Sequence, residues 1–229
     1  GQRSREFVAH PAGVLSICYS SDGKRIASGS SMLSATADAR ETLKVFDSQT
    51  GKALLSLPGH EGFVEAVAFS PDGAMLASAG MPRLAPFGME ADRTLKVWNT
   101  ATGAEVCTYS AHGGGGRAVA WSPDASRVFS AGMDGRLKMW PSSTPPPVRE
   151  LRGHIGSVLR IAFSPDGKRL ATSGGQGQSS RPGEVAPDNV VLIWDSASGS
   201  PVLTLRGHSK AVLGLAWSPD GQCIASGSL

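Results

Sequence analysis

The chain contains five histidines, at positions 10, 60, 112, 154 and 208, and each opens the same pattern. Nine residues after each stands an aromatic: Tyr19, Phe69, Trp121, Phe163 and Trp217. Twelve after each stands an aspartate: Asp22, Asp72, Asp124, Asp166 and Asp220. Sixteen after comes an aliphatic (Ile26, Leu76, Val128, Leu170, Ile224), and eighteen after a hydroxyl residue (Ser28, Ser78, Ser130, Thr172, Ser226). Fixed internal offsets repeated five times in 229 residues force a repeat architecture, with each unit one supersecondary element stacked on its neighbours. The second half of each unit varies in length and ends at an aromatic: Phe46, Trp98, Trp140 or Trp194. Successive histidines lie 50, 52, 42 and 54 residues apart, so the 42-residue unit is the undecorated one. The others carry 8 to 12 extra residues between the hydroxyl and the terminal aromatic.

Each unit reads as four short strands. In the second, 64–69 is a short, mostly apolar run, as expected of a strand buried on both faces. Ser70-Pro71-Asp72-Gly73 is a turn, with proline fixing φ and glycine free to take a positive φ. Strands follow at 74–78, 94–98 and 104–109, with a further turn at 100–103. The 29 glycines and 15 prolines exclude a helical bundle. No apolar run approaches the roughly 18 residues of a membrane helix. A net charge of +3 without a basic cluster argues against a dedicated nucleic-acid binder. Cys18, Cys107 and Cys223 are far apart and outside any CxxC, which argues against a disulfide framework or zinc site. All three fall in predicted strands and read as small buried hydrophobes. Residues 1–12 lack a hydrophobic signal core, so the expected setting is intracellular, cytoplasmic or cytoskeletal.

These features resemble the WD-repeat β-propeller family. The matching residues are Gly59-His60, Phe69 to Gly73 and Val97-Trp98, repeated as Gly153-His154, Phe163 to Gly167 and Trp194-Asp195. The resemblance covers nearly the whole chain and implies an all-β propeller of four-stranded antiparallel blades. Its repeats run approximately 7–57, 58–109, 110–151, 152–205 and 206–229, within a single domain spanning 1–229. Four units have all four strands, and the fifth supplies two, at 212–217 and 222–226. Residues 5–8 hold the position of a fourth strand. Rings of this family usually have about seven blades, which at this spacing needs about 350 residues. The expectation is therefore part of a ring, or a ring completed by another chain. The alternative is a five-bladed closure in which residues 5–8 pair into the last blade.

The resemblance also implies a buried hydrogen-bonded set in each unit, made of the histidine, the hydroxyl, an aspartate and the tryptophan. Two units match throughout: His60, Ser78, Asp92, Trp98 and His112, Ser130, Asp134, Trp140. A third uses threonine: His154, Thr172, Asp188, Trp194. In all three the aspartate stands six residues before the tryptophan. A buried imidazole needs a partner on each nitrogen, and an indole N–H needs an acceptor. A His, a Ser and an Asp also suggest a catalytic triad. A set present three times, with no oxyanion-hole element, reads as structural, so no catalytic residue is assigned. In the first unit Phe46 replaces tryptophan and Arg40 the aspartate, with Asp38 the nearest substitute, so that set is expected to be incomplete.

The run Gly113 to Gly116 lacks the Lys-Ser or Lys-Thr and the helix of a phosphate loop, and reads as a flexible connection. Trp121 and Trp217 read as core. Pro145-Pro146-Pro147 reads as a stiff link. No cofactor or metal motif is present. The insertions at about 30–41, 81–91 and 175–187 share one face of the disk with the histidine loops. In the second, Met81, Leu84, Phe87 and Met89 are apolar, and Arg83 and Glu90 can orient a partner. Aromatics, Met and Arg are enriched at protein interfaces. The expected function is a non-catalytic scaffold binding other proteins in a multi-protein complex, without nucleic-acid or membrane partners. The competing readings are a sensor or localisation module of a longer protein, and a small-molecule binder using the central channel.

Overall fold

The computed structural model describes residues 6–11, 13–31, 42–82, 92–142, 148–175 and 189–229. The first sheet comprises β1 (Val14–Tyr19), β2 (Arg25–Ser30), β3 (Leu43–Asp47) and β4 (Ala53–Ser56). The second comprises β5 (Phe63–Phe69), β6 (Met75–Met81), β7 (Thr94–Asn99) and β8 (Glu105–Ser110). The third comprises β9 (Gly116–Trp121), β10 (Arg127–Gly132), β11 (Leu137–Pro141) and β12 (Arg149–Leu151). The fourth comprises β13 (Ser157–Phe163), β14 (Arg169–Gly175), β15 (Val191–Asp195) and β16 (Pro201–Leu205). A hairpin of β17 (Val212–Trp217) and β18 (Ile224–Ser228) follows. Within each sheet the strands lie in sequence order and pair antiparallel. These are the blades of a β-propeller.

The turn between the first two strands explains why the pattern recurs. Ser70 Oγ donates to Asp72 Oδ1 at 2.5 Å and accepts the Met75 N–H at 2.9 Å. Gly73 then takes φ +69°. The Ser–Asp bond recurs at 2.5–2.6 Å in all five units, from Ser20–Asp22 to Ser218–Asp220. It closes the hairpin and fixes its register, which decides which side chains face the neighbouring blade.

The core lies between blades. One cluster joins Val45 and Leu57 of the first blade to Val64, Leu76 and Trp98 of the second. Equivalent clusters join the second to the third, the third to the fourth, and the fourth to the hairpin. A sheet with two apolar faces cannot bury either alone, so each blade depends on its neighbours. The first strands of successive blades pack side by side.

A further contact recurs ahead of each four-stranded blade, three residues before the histidine. Phe7, Leu57 and Leu151 each lie over the turn glycine that ends the third strand of the next blade: Gly51, Gly103 and Gly199. Those glycines have φ of +70°, +74° and +65°, and a Cβ there would come within 2.8–3.4 Å of the covering side chain. In the third blade Tyr109 stacks on Trp140 at 4.7 Å. Phe7 also packs on Phe46 at 5.3 Å.

Some expectations need correction. Glu6 to Val8 do not form a strand and do not pair with β17 or β18, because Phe7 is committed to Phe46 and Gly51 of the first blade. Among the described residues the arc of blades stays open, with Ile17 and Tyr19 of β1 63% and 62% exposed. In the Gly113 to Gly116 segment, Gly113 is exposed but the other three glycines are packed: Gly116 begins β9, and a Cβ there would meet that of Ala79 at 2.7 Å. Cys18 and Cys107 are half-buried, and burial raises the Cys18 thiol to about 11. Cys223 is exposed and precedes β18, because no described blade covers the far side of that hairpin. Trp121 is buried and donates Nε1–H across the junction to the Ala68 carbonyl at 2.9 Å. Trp217 is half-buried and does the same to Ala162 at 3.0 Å.

Arg25 ties the first blade to the second. Its Nη1 donates to Thr100 Oγ1 at 2.9 Å and its Nη2 to the Gly73 carbonyl at 2.7 Å, with Cζ 5.3 Å from the centre of the Phe69 ring. Hydrogen bonds from a charged donor contribute more than neutral ones. Arg25→Ala should therefore destabilise the fold by about 1.5–3 kcal/mol. Urea unfolding with a shifted midpoint and an unchanged slope would show this; an unchanged midpoint would mean that the tie contributes nothing.

Candidate functional site

The polar sets sit where the histidine loop meets the return from the second strand. In the second blade, His60 precedes β5, Ser78 lies in the middle of β6, and Trp98 lies on β7. Trp98 Nε1–H donates to Ser78 Oγ at 2.8 Å. Ser78 Oγ lies 2.7 Å from His60 Nε2, and His60 Nδ1 lies 2.7 Å from Asp92 Oδ2. An ionised carboxylate can only accept, so Nδ1 carries a proton; Nε2 of the neutral ring then accepts from the serine hydroxyl. Asp92 also accepts the backbone N–H groups of Glu61 and Thr94, both at 3.0 Å, and the Thr94 hydroxyl at 2.6 Å. One relay of bonds thus joins two strands and two loops. His60 and Ser78 are buried, at 1% and 0% exposure.

The third blade repeats it. Trp140 Nε1 donates to Ser130 Oγ at 2.8 Å, which lies 2.8 Å from His112 Nε2. His112 Nδ1 lies 2.9 Å from Asp134 Oδ1, and Asp134 also accepts the Gly113 and Arg136 N–H groups at 3.2 Å. In the fourth blade Trp194 Nε1 donates to Thr172 Oγ1, which lies 2.8 Å from His154 Nε2. Asp188 of that set falls outside the described residues.

In the first blade His10 Nε2 meets Ser28 Oγ at 2.7 Å, but Phe46 offers no N–H and instead sets its ring edge-on to His10 at 6.4 Å. Arg40 and Asp38 fall outside the described residues. In the hairpin His208 meets Ser226 at 2.8 Å in an exposed position. The histidine–hydroxyl bond is therefore present five times, at 2.7–2.8 Å.

This arrangement differs from a triad in its direction. The hydroxyl receives an indole proton on one side and faces imidazole on the other, so its oxygen is engaged on both sides and closed off from solvent. A nucleophile needs that oxygen free to reach a substrate carbon. Among the described residues, no group of three His, Cys, Asp or Glu is arranged to hold a metal ion, and no helix is long and apolar enough to cross a membrane.

The loop residues named for partner binding divide. Met81 ends β6, opposite Phe63, and its side chain lies near Gly115 of the third blade. Arg83, Leu84, Phe87, Met89 and Glu90 fall outside the described residues, as does Pro145-Pro146-Pro147. Pro82 lies against Gly115 on one side of the gap, and the buried Asp92 closes the other. The covering residue three before each histidine and the arginine tie at Arg25 were not picked out from sequence. The apolar residues Phe7, Leu57, Tyr109, Leu151 and Leu205 at that offset were a signal that could have found the first.

Two consequences follow from the sets. Trp140→Phe keeps most of the ring volume and leaves Ser130 without its indole donor, so it should cost about 1–2 kcal/mol. Urea titration measures it, and a loss below about 0.3 kcal/mol would mean that the bond is not stabilising. The second concerns pH. Burial alone would raise the Asp92 carboxyl, but the hydrogen bonds from His60 and Thr94 outweigh it and hold it at about 2. An unfolded aspartate titrates near about 3.9. A carboxyl depressed on folding stabilises above the unfolded value, and that contribution is lost as pH falls through the folded one. About 2 kcal/mol of stability should therefore disappear between about pH 4 and about pH 2. Asp92→Asn should flatten that slope, and identical pH curves for the two proteins would refute the assignment.

The geometry can be compared with known proteins. The family model described as WD domain, G-beta repeat matches residues 1–39, 51–99, 103–141, 145–195 and 199–229. The chain is similar to Protein FIZZY-RELATED 3 of Arabidopsis thaliana, 28% identical over 232 residues, covering 97% of this chain and 32% of that protein. It is similar to B-type cell cycle switch protein ccs52B of Medicago truncatula, 30% identical over 232 residues with the same coverage. A shorter match, 50% identical over 46 residues, joins 20% of the chain to 9% of Ribosome assembly protein 4 of Chaetomium thermophilum. The chain thus spans about a third of the length of the first two relatives. Five matched repeats, built on five histidine–hydroxyl bonds in stacked antiparallel sheets, place the chain in the WD-repeat family of β-propellers.

Proposed function

We propose that this chain is a non-catalytic scaffold that binds other proteins within a larger assembly, through the face that carries the histidine loops and the insertions. One observation carries the reading. The polar groups that most resemble catalytic machinery are internal ties in blade after blade, from His60–Ser78–Trp98 to His154–Thr172–Trp194. The variable residues lie in the connections that these ties do not need. The 42-residue third unit closes its blade without an insertion, so the extra residues elsewhere serve something other than the fold. Longer loops cost only about 0.6 kcal/mol per doubling, so they persist once useful.

Insertion 81–91 is the anchor in this reading. It leaves from Pro82, held against the third blade, and returns at Asp92, held by His60 and two backbone N–H groups. Anchored ends and two prolines reduce the ordering cost on binding. Phe87, Met81 and Met89 supply apolar contact, and Arg83 and Glu90 supply orientation. The names of two relatives, a cell cycle switch protein and a ribosome assembly protein, fit a part in a larger assembly. An intracellular, cytoplasmic or cytoskeletal setting belongs to the same proposal.

The test replaces residues 82–90 with a short Gly-Ser turn. The variant should keep its unfolding midpoint within about 0.5 kcal/mol of the parent and lose at least half of the proteins recovered stoichiometrically with it. Unchanged recovery from a folded variant would remove the loop as anchor. Recovery of a tightly held small molecule, with no stoichiometric protein, would overturn the scaffold reading itself.

A further inference from the structure

On the opposite face, where the Ser-Pro-Asp-Gly turns lie, the blade junctions are not equivalent. Fifteen residues after the histidines stand Arg25, Met75, Arg127, Arg169 and Cys223. Arg25 spans its junction and is received by three groups of the second blade: the Gly73 carbonyl, the Thr100 hydroxyl and the Phe69 ring. Thr100 in turn donates to Gly73 O at 2.7 Å, so hydroxyl and carbonyl form one preset pair. The fourth blade rebuilds that pair at the same offsets, with Ser196 donating to Gly167 O at 2.6 Å.

The arginine that faces this second pair does not use it. Arg127 turns back within its own blade, its Nη1 lying 3.4 Å from the Met139 sulfur. Phe129 takes the edge of the Phe163 ring, at 5.2 Å, and Pro123 lies over the α-carbon of Gly167. A cleft of about 360 Å³ remains between the two blades, in the size range of small-ligand sites. Ser196, on its wall, is half-buried, whereas Thr100, its counterpart under Arg25, is buried. Three aspartates line the cleft, Asp124, Asp166 and Asp195, against two cations, Arg127 and Lys168. The serines beside them hold all three carboxyls below the usual range, so the lining is anionic at neutral pH.

We propose that the cleft between the third and fourth blades receives an arginine side chain from a partner protein. The guanidinium would donate to Gly167 O and Ser196 Oγ, as Arg25 does to their counterparts, and would offset the one surplus carboxylate beside Asp166 and Asp195. A planar fork of donors matches this carbonyl, hydroxyl and carboxylate set, which a single ammonium cannot span. The source of the arginine rests on the scaffold reading above; the receiving cleft does not, and its test uses a small probe.

The probe is N-acetyl-arginine methylamide, titrated into the ¹⁵N-labelled protein. It should shift the amide resonances of Gly167 and Ser196 and leave those of Gly73 and Thr100, already served by Arg25, unmoved. The lysine analogue should bind at least fivefold more weakly. Free arginine, whose own carboxylate opposes the aspartates, should also bind more weakly; equal or tighter binding would point to the amino acid in place of a protein side chain and overturn the proposal. Asp166→Asn with Asp195→Asn should weaken the probe at least tenfold when measured well below the unfolding midpoint, which itself falls because Asp166 accepts the Ser164 hydroxyl and Asp195 that of Ser198. Arg25→Ala should open a second response at Gly73 and Thr100, which keeps the test decisive if the double variant folds poorly. Shifts scattered over surface carboxylates, or no shift at millimolar probe, would also overturn the proposal.

Discussion

A single hydroxyl oxygen in the middle of the second strand holds each complete blade together. In Ser78 it takes the indole proton of Trp98 and passes its own to His60, whose other nitrogen binds Asp92. The second and third strands and the loop before the first are thereby fixed by groups that would each cost about 1–3 kcal/mol if buried alone. The arrangement sets what can vary. The third strand must return to where its indole reaches the hydroxyl, and the aspartate must stand six residues earlier. Between the end of the second strand and that aspartate, length is free. Threonine serves as well as serine at position 172, because only the oxygen matters to the indole. Phenylalanine at position 46 does not serve, and there the ring packs with His10 and Phe7 instead.

Much of this was legible because the ties are local in sequence and repeat. The offset of eighteen residues between histidine and hydroxyl reflects a loop, a strand, a four-residue turn and half a strand, all of fixed length in every unit. Strand edges moved by up to three residues, as with β6, which runs on to Met81 past the expected end at Ser78. The turn Ser70 to Gly73 was read from proline and glycine, while the bond from Ser70 to Asp72 and the reason for that aspartate came only from coordinates.

What resisted reading lies between blades. Trp121 and Phe163 occupy the same offset, yet the first donates to a carbonyl of the preceding blade and the second receives a ring from it. Met75 and Arg127 likewise share an offset with Arg25 and do different things. Such outcomes depend on two units at once, so no offset within one unit reports them. The glycines at 114–116 are a related case: in a run that suggests looseness, Met133, Pro82 and Ala79 come too near for side chains at these three positions. Close approach and freedom leave the same mark in a sequence.

The covering contacts all point one way along the chain. Phe7 precedes the blade it covers, Leu57 lies on the approach to the blade containing Gly103, and Leu151 on the approach to that containing Gly199. A ribosome that makes the chain from its first residue therefore delivers each apolar cover before the turn that needs it. A newly emerging blade meets a neighbour whose outer strand is already paired and whose covering side chain is in place. Assembly can advance one junction at a time at the pace of synthesis, each new blade docking on a neighbour already formed. The same residues in the opposite sense, with each turn waiting on a cover not yet made, would leave every blade uncovered until its successor appeared.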